Sequence, residues 1–306
     1  MTRSIVGLAL AALLAACSSK PLEAPPATVS VPPAAAVSGV TLQAIPTGTI
    51  LSNAGLAYEG GKGSDQRDFV VGAILVTHPK GRLLFDAGFG RSLDEHAKTT
   101  PLLLRLTSRR QAGTPAAEQL ARAGIATSDL TAVVLTHAHW DHVSGLEHFK
   151  GVPVWLPRSE MAFVQGGERH SRLARQLGTA DYQPYDFTDG PYFGFPASRD
   201  LFGDGSVVLV PAFGHTPGSI IAFVTVGSGQ RYALIGDTAW QSEGVDLPAQ
   251  KPWPARSVDA DAAAVRALLV RLHQIKRASP GLVVVPAHDA RVWKRLPQLG
   301  DQGAVR

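Results

Sequence analysis

Thr136-His137-Ala138-His139-Trp140-Asp141-His142 follows directly on Leu130-Thr131-Ala132-Val133-Val134-Leu135, a continuous β-branched and apolar run. Such a run predicts a strand buried on both faces, ending where the polar stretch begins. Three histidines and one aspartate then fall within six positions. In a tight turn after a strand, His137 and His139 can face one metal ion while Asp141 and His142, beyond the turn, face another. Three more ligand-type residues each follow an apolar strand-like segment. They are His215 in Gly214-His215-Thr216-Pro217-Gly218-Ser219, Asp237 in Ile235-Gly236-Asp237-Thr238, and His288 in Pro286-Ala287-His288-Asp289. Each alone reads as an ordinary turn residue, but gathered at one edge of a sheet they complete a metal-binding set. Imidazole and carboxylate donors without thiolate suit zinc, with iron, manganese and cobalt also compatible.

Outward from this motif, short apolar segments alternate with helical spacing. Residues 69–77 and 82–86, separated by His78-Pro79-Lys80-Gly81, predict a hairpin. Residues 114–123 have helical spacing and stop at Gly124. In the second half, residues 206–211, 219–226 and 232–235 read as strands bounded by Gly or Pro. A helix is expected over 259–278, with Val265, Leu268, Leu269, Leu272 and Ile275 inward and Pro280-Gly281 ending it, before a short strand at 282–285. Strands open each half and helices follow, which predicts an α/β fold of two sheets with helices outside. Between the halves, residues 152–156 read as a strand and 168–177 as a helix. The aromatic-rich stretch with Tyr182, Tyr185, Phe187, Tyr192, Phe193 and Phe195 reads either as a loop packing its own rings on the surface or as the wall of a substrate pocket.

The chain has 306 residues, 45% hydrophobic and 18% charged, enough for a buried core. The net charge of +4 is scattered. Arg109 and Arg110, near Arg105, are the local exception and read as a solvated face, so a nucleic-acid partner is not expected. The N-terminus differs in kind. Arg3 precedes an apolar run over 5–16, too short and Ala-rich to span a bilayer comfortably, which predicts a signal peptide at 1–16. Leu14-Ala15-Ala16-Cys17 resembles the bacterial lipoprotein processing site, and Cys17 is the sole cysteine. The expectation is a lipidated Cys17, a Pro/Ala-rich tether over 17–39, and a single catalytic domain over 40–306. The same resemblance implies, from Ser18 rather than Asp after the cysteine, the periplasmic side of the outer membrane.

The ordered set HxHxDH, H, D, H resembles the dinuclear hydrolases of the metallo-β-lactamase superfamily, over nearly the whole mature chain. Phe85-Asp86-Ala87-Gly88 and Gly145-Leu146 support the likeness. The resemblance implies an αββα sandwich with the metals at one edge of the two sheets. It also implies that His137, His139 and His215 hold the first metal, that Asp141, His142 and His288 hold the second, and that Asp237 bridges them. Two such cations, most simply zinc, lower the pKa of a bridging water enough to give hydroxide near neutral pH. Asp141 is the candidate for orienting that hydroxide and moving its proton to the leaving group.

Within the superfamily, Asp237 and the absence of a second-site cysteine argue against penicillin-type substrates, and Ala138 argues against a flavodiiron protein. The two remaining likenesses are N-acyl homoserine lactone hydrolases and glyoxalase II-like thioesterases. The Gly214–Gly218 motif, Ile45-Pro46-Thr47-Gly48 and the short stretch after His288 lean towards a lactonase. Trp240 stands where some lactonases place a substrate-contacting tyrosine; it lacks that residue's acceptor chemistry but can line an acyl pocket. From another class, a non-catalytic metal-binding envelope lipoprotein stays open. Asp289 reads as a support for His288 or as a turn residue. His78, His96, His148, His170 and His273 are expected in surface or capping roles.

Overall fold

The protein is described by a computed structural model covering residues 29–100, 105, 109–177, 181–253 and 255–300. The expected signal peptide at 1–16 and the lipidated Cys17 lie outside the described residues. Among the described residues, twelve strands form two sheets. They are β1 (Thr41–Asn53), β2 (Gln66–His78), β3 (Gly81–Phe85), β4 (Arg109–Ala112), β5 (Ala132–Val134), β6 (Pro153–Pro157) and β7 (Asp181–Tyr185), then β8 (Arg199–Asp200), β9 (Val207–Pro211), β10 (Ile220–Thr225), β11 (Arg231–Leu234) and β12 (Leu282–Val285). The first seven make one sheet in the order β4-β1-β2-β3-β5-β6-β7, and the last five make the other in the order β12-β11-β10-β9-β8.

The alternation of side chains along each strand builds the layers. Val70, Ile74 and Val76 of β2 pack between the sheets with Ile220, Ala222 and Val224 of β10. Ala73 and Leu75 face the other way, onto Leu120, Val143, Val164 and Leu173 of the outer helices. On the second sheet Ile221 and Phe223 face outward, where Val265, Leu268, Leu269, Leu272 and Ile275 of the helix Ala262–Ala278 meet that side. These are the five residues that helical spacing turns inward. The result is an α/β sandwich in the order helices, sheet, sheet, helices.

The β2–β3 hairpin forms as expected, pairing His78 with Gly81 across Pro79-Lys80. Other elements differ from expectation. The strand read at 130–135 narrows to β5, and just beyond it Asp86 rather than a neighbouring strand takes the Thr136 amide. The helix expected at 168–177 breaks into a 3-10 turn, Arg169–Ser171, and a short helix, Arg172–Gln176. β1, β4 and the helix Arg158–Gln165 were not anticipated. β1 carries a bulge between Pro46 and Gly48, where Thr47 Oγ1 donates to the Val71 carbonyl and accepts from the Phe89 amide.

The aromatic stretch packs its rings on one another and on the scaffold rather than around a pocket, with Tyr182, Phe187 and Tyr192 half-buried. Phe193 stacks on Phe223 at 4.5 Å between ring centroids and is buried with Phe195, while Tyr185 sits between the sheets. The second sheet has much outward apolar surface for one long helix, and this segment covers the remainder. The tether likewise is not wholly free: residues 29–39 lack regular structure, yet Val29 and Val37 pack against the core clusters.

Several of the set-aside histidines are interior. His78 is buried, stacked on Phe202 and 2.9 Å from Asp204. His96 is buried against Ser144 Oγ at 2.8 Å. His273 is half-buried, its Nδ1 3.0 Å from the Val245 carbonyl. His148 keeps a capping role, accepting from the Arg91 amide. In each interior case a polar partner distant in sequence makes burial of the imidazole tolerable.

Candidate metal centre

β3 and β5 run parallel in one sheet, and β9, β11 and β12 share a direction in the other. The segments leaving their C-terminal ends meet at one edge of the sandwich, where the Thr136 carbonyl accepts from the Ile220 amide across the two sheets. The loop after β5 carries His137 and His139, and the one-turn helix Trp140–Val143 carries Asp141 and His142. His215 follows β9, Asp237 lies in the 3-10 turn Gly236–Thr238 after β11, and His288 follows β12. All seven residues are buried.

The residues fall into overlapping groups of potential donors. His137, His139 and His215 form one; Asp141, His142 and His288 form another; His137, His142 and Asp237 join them. Within each group the donor atoms lie within 4.8 Å of one another. Asp237 divides its carboxylate between the two sides. Its Oδ1 lies 3.0 Å from His288 Nε2 and 3.3 Å from His142 Nε2, whereas Oδ2 lies 3.4 Å from His215 Nε2 and 3.9 Å from His137 Nε2. His137 Nε2, His142 Nε2, His215 Nε2 and Asp237 Oδ1 are buried without a hydrogen-bond partner among the described residues. Converging unsatisfied atoms are costly unless a cation takes them up, so this donor set of nitrogen and carboxylate oxygen fits divalent metal.

The electrostatics differ between the two sides of the cluster. Burial, then the neighbouring histidines, hold His137 and His139 well below the usual imidazole range, which keeps their lone pairs available. Burial would also push His142 and His288 down, but the nearby carboxylates outweigh it and raise both. Burial would raise Asp237, yet His288 and His142 hold it well below the carboxylate range.

Above the centre opens a cavity of about 600 Å³, floored by His139, Asp141, His215, Asp237 and His288. Ile50, Leu56, Phe69, Trp140, Trp240 and Val258 supply its apolar walls. Trp240 therefore lines the cavity, and its Nε1–H donates to Asp237 Oδ2 at 2.8 Å. His170, set aside from the sequence, also lines it, with its ring 5.6 Å from that of His139. Arg110, read as part of a solvated face, sits in β4 and borders the same space with Arg169.

A family model described as the metallo-beta-lactamase superfamily matches residues 67–288. The chain belongs to the metallo-β-lactamase superfamily. It is a hydrolase of that superfamily. A probable metallo-hydrolase of Mycobacterium tuberculosis is 30% identical over 244 residues, covering 72% of this chain and 75% of that one. An N-acyl homoserine lactonase, AttM, of Azorhizobium caulinodans is 25% identical over 249 residues, covering 76% and 86%. The fold matches a crystal structure of a mutant AiiA of B. thuringiensis with N-decanoyl-L-homoserine bound at the active site. That match has a TM-score of 0.69 and 18% identity, covering 84% of this chain and 96% of that one.

In this metallo-β-lactamase sandwich a second ring of residues orients the first. Asp86, at the end of β3, lies 2.8 Å from His142 Nδ1 and accepts from the Thr136 amide and hydroxyl. Asp259 lies 2.6 Å from His215 Nδ1 and also accepts from Lys251. His288 Nδ1 lies 2.8 Å from the Val70 carbonyl. In each case the outer nitrogen is occupied, which turns Nε2 inward. Buried Glu160 accepts from the Ala138 amide, the Thr216 hydroxyl and the Gly218 amide, locking the β5 and β9 loops together. Asp289 does not support His288: it accepts from Ser242 and Arg291 instead. Asp259, Lys251 and Glu160 escaped the sequence reading because no local motif marks a residue whose partner arrives from another loop.

Proposed function

We propose that the chain is a dinuclear metal-dependent hydrolase that opens a lactone or related ester, with N-acyl homoserine lactones the first substrates to test. The observation that carries this is the Asp237 carboxylate, split between two ligand groups on the floor of an apolar cavity. His137, His139 and His215 would hold one ion, Asp141, His142 and His288 the other, and Asp237 both. When bound, two divalent ions, zinc by donor type, supply Lewis acidity and a water acidified towards neutral pH. Asp141 faces the cavity and lies 3.4 Å from His288, so its carboxylate is placed to take a proton and return it to the departing oxygen. Trp240 and Phe69, edge to face at 5.9 Å, give the acyl chain an apolar wall. Because the Trp240 N–H is committed to Asp237, its offer to substrate is surface rather than a hydrogen bond.

The lactonase relative and the apolar cavity both support the lactone reading. Arg110, Arg169 and His170 in the same wall favour a second one, esters or thioesters that carry an anionic substituent. Purified protein should be assayed for bound metal and for turnover of short- and long-chain acyl homoserine lactones, a neutral thioester and a carboxylated thioester. Two ions per chain, with lactone turnover lost in His139→Ala, is the expected result. Turnover confined to thioesters would overturn the lactone assignment alone.

The envelope location belongs to the same proposal and rests on Leu14-Ala15-Ala16-Cys17. Mass spectrometry of the mature N-terminus should find an acylated Cys17. An unmodified N-terminus would remove the anchor.

A further inference from the structure

Lys251 is buried, with its side chain 1% exposed, in an interior where an ammonium is expensive. Its Nζ has two hydrogen-bond acceptors and an aromatic ring as neighbours. It donates to Asp259 Oδ1 at 2.8 Å and to the Asp237 backbone carbonyl at 2.8 Å, and it stands 5.4 Å from the centre of the Trp240 ring. The same Asp259 oxygen lies 2.6 Å from His215 Nδ1. One ammonium thus touches the segments after β9 and β11, which carry His215 and Asp237. It reaches one through a carboxylate and the other through a main-chain oxygen.

The backbone shares in this clamp. The Ala260 amide donates to the His215 carbonyl and the Asp261 amide to the Gly214 carbonyl, so residues 259–261 grip the His215 loop beside the ion pair. With Asp259 as acceptor, the His215 proton sits on Nδ1 and the Nε2 lone pair faces the centre. There Nε2 has no protein hydrogen-bond partner among the described residues and lies 3.4 Å from Asp237 Oδ2.

We propose that Lys251 is a positioning residue. It sets His215 against Asp237 and thereby sets the affinity of the ion held by His137, His139 and His215. This rests on the metal-centre reading above. A buried cation close to a metal site has two opposed effects: as bare charge it repels the ion, and as an anchor it orders two of the ligands. Removing it therefore changes affinity in opposite directions according to which effect dominates, and the sign tests the proposal.

The test is chelator competition with zinc on the full mature chain of wild type, Lys251→Met, Asp259→Asn and the double variant. Cobalt(II) absorption serves as a report on coordination geometry, and thermal melts of the metal-free proteins report folding. Lys251→Met should weaken one of two ions by roughly 10- to 100-fold and leave the other within a few-fold. The cobalt spectrum of the weakened site should change. The double variant should lose less than the sum of the two single losses, since the Lys251–Asp259 contact is common to both. If Lys251→Met does not fold, Lys251→Gln, which keeps a polar tip on a side chain of similar width, is measured against the same two outcomes. Unchanged or tightened affinity in the folded variant overturns the proposal while the metal centre stands. Wild type that takes up no zinc overturns both.

Discussion

Asp86 has a φ of 57°, a left-handed conformation that residues other than glycine seldom adopt, and it is the residue whose carboxylate faces His142 and Thr136. The backbone cost, about 1 kcal/mol, is borne at a site where the side chain has two jobs. Asp86→Asn tolerates the same φ, so it isolates the carboxylate. We expect metal affinity down roughly 10- to 100-fold with a small change in apo stability, whereas Asp86→Ala should lose both; zinc competition and urea midpoints separate them. Trp240 makes a different prediction. Trp240→Ala also removes a hydrogen bond to Asp237, so the acyl wall is read from the difference: KM should rise about tenfold more for long-chain acyl substrates than for short ones, the worth of a few lost apolar contacts. Equal effects on both would remove Trp240 from the acyl wall. Asp86 was legible as part of a strand-end motif but not as the partner of His142, 56 residues away.

Among elements, the turns decide more than the strands. Gly218 is pressed against the helix Arg158–Gln165: a Cβ there would stand 2.3 Å from the Glu160 nitrogen. Gly218→Ala should destabilise by roughly 1–3 kcal/mol through backbone displacement, seen as a lower urea midpoint. It should also weaken zinc binding, because the same turn positions His215. On the helix Leu93–Ala97, burial lowers the His96 pKa from its ordinary 6.5, although Glu147 pulls the other way. The unfolded chain then binds the proton more readily than the folded one. Stability falls as pH drops below about 6.5 and levels off beneath the folded value. His96→Gln should show a shallower acid slope than wild type in urea melts between pH 7 and 5; an identical slope would rule out His96 as a source. Elements with continuous apolar runs were readable in the sequence, as β10, β12 and the helix Ala262–Ala278 were. β4, Arg109-Arg110-Gln111-Ala112, was not, because it is an edge strand recognised only by its partner β1.

At the scale of the whole molecule, the metal centre is where two sheets, built from residues far apart in the chain, are fastened. Chelation should therefore lower Tm as well as abolish activity, and Tm should climb back as free zinc is restored to the sample. Asp237→Ala should be insensitive to both treatments, and a wild-type Tm indifferent to chelator would contradict this. The sequence by itself determined which side chains could ligate, in what order, and that each follows a strand. Those facts depend on local residue type and on the periodicity of apolar runs, which are written consecutively in the chain. Only the tertiary structure decided that the Asp237 oxygens divide between two groups of histidines, that Phe193 and Phe195 cover a sheet rather than a pocket, and that buried Lys251 joins two ligand loops. Those depend on which distant segments share a sheet edge, and a carboxylate or an ammonium has no local pattern to announce the partner that makes its burial tolerable.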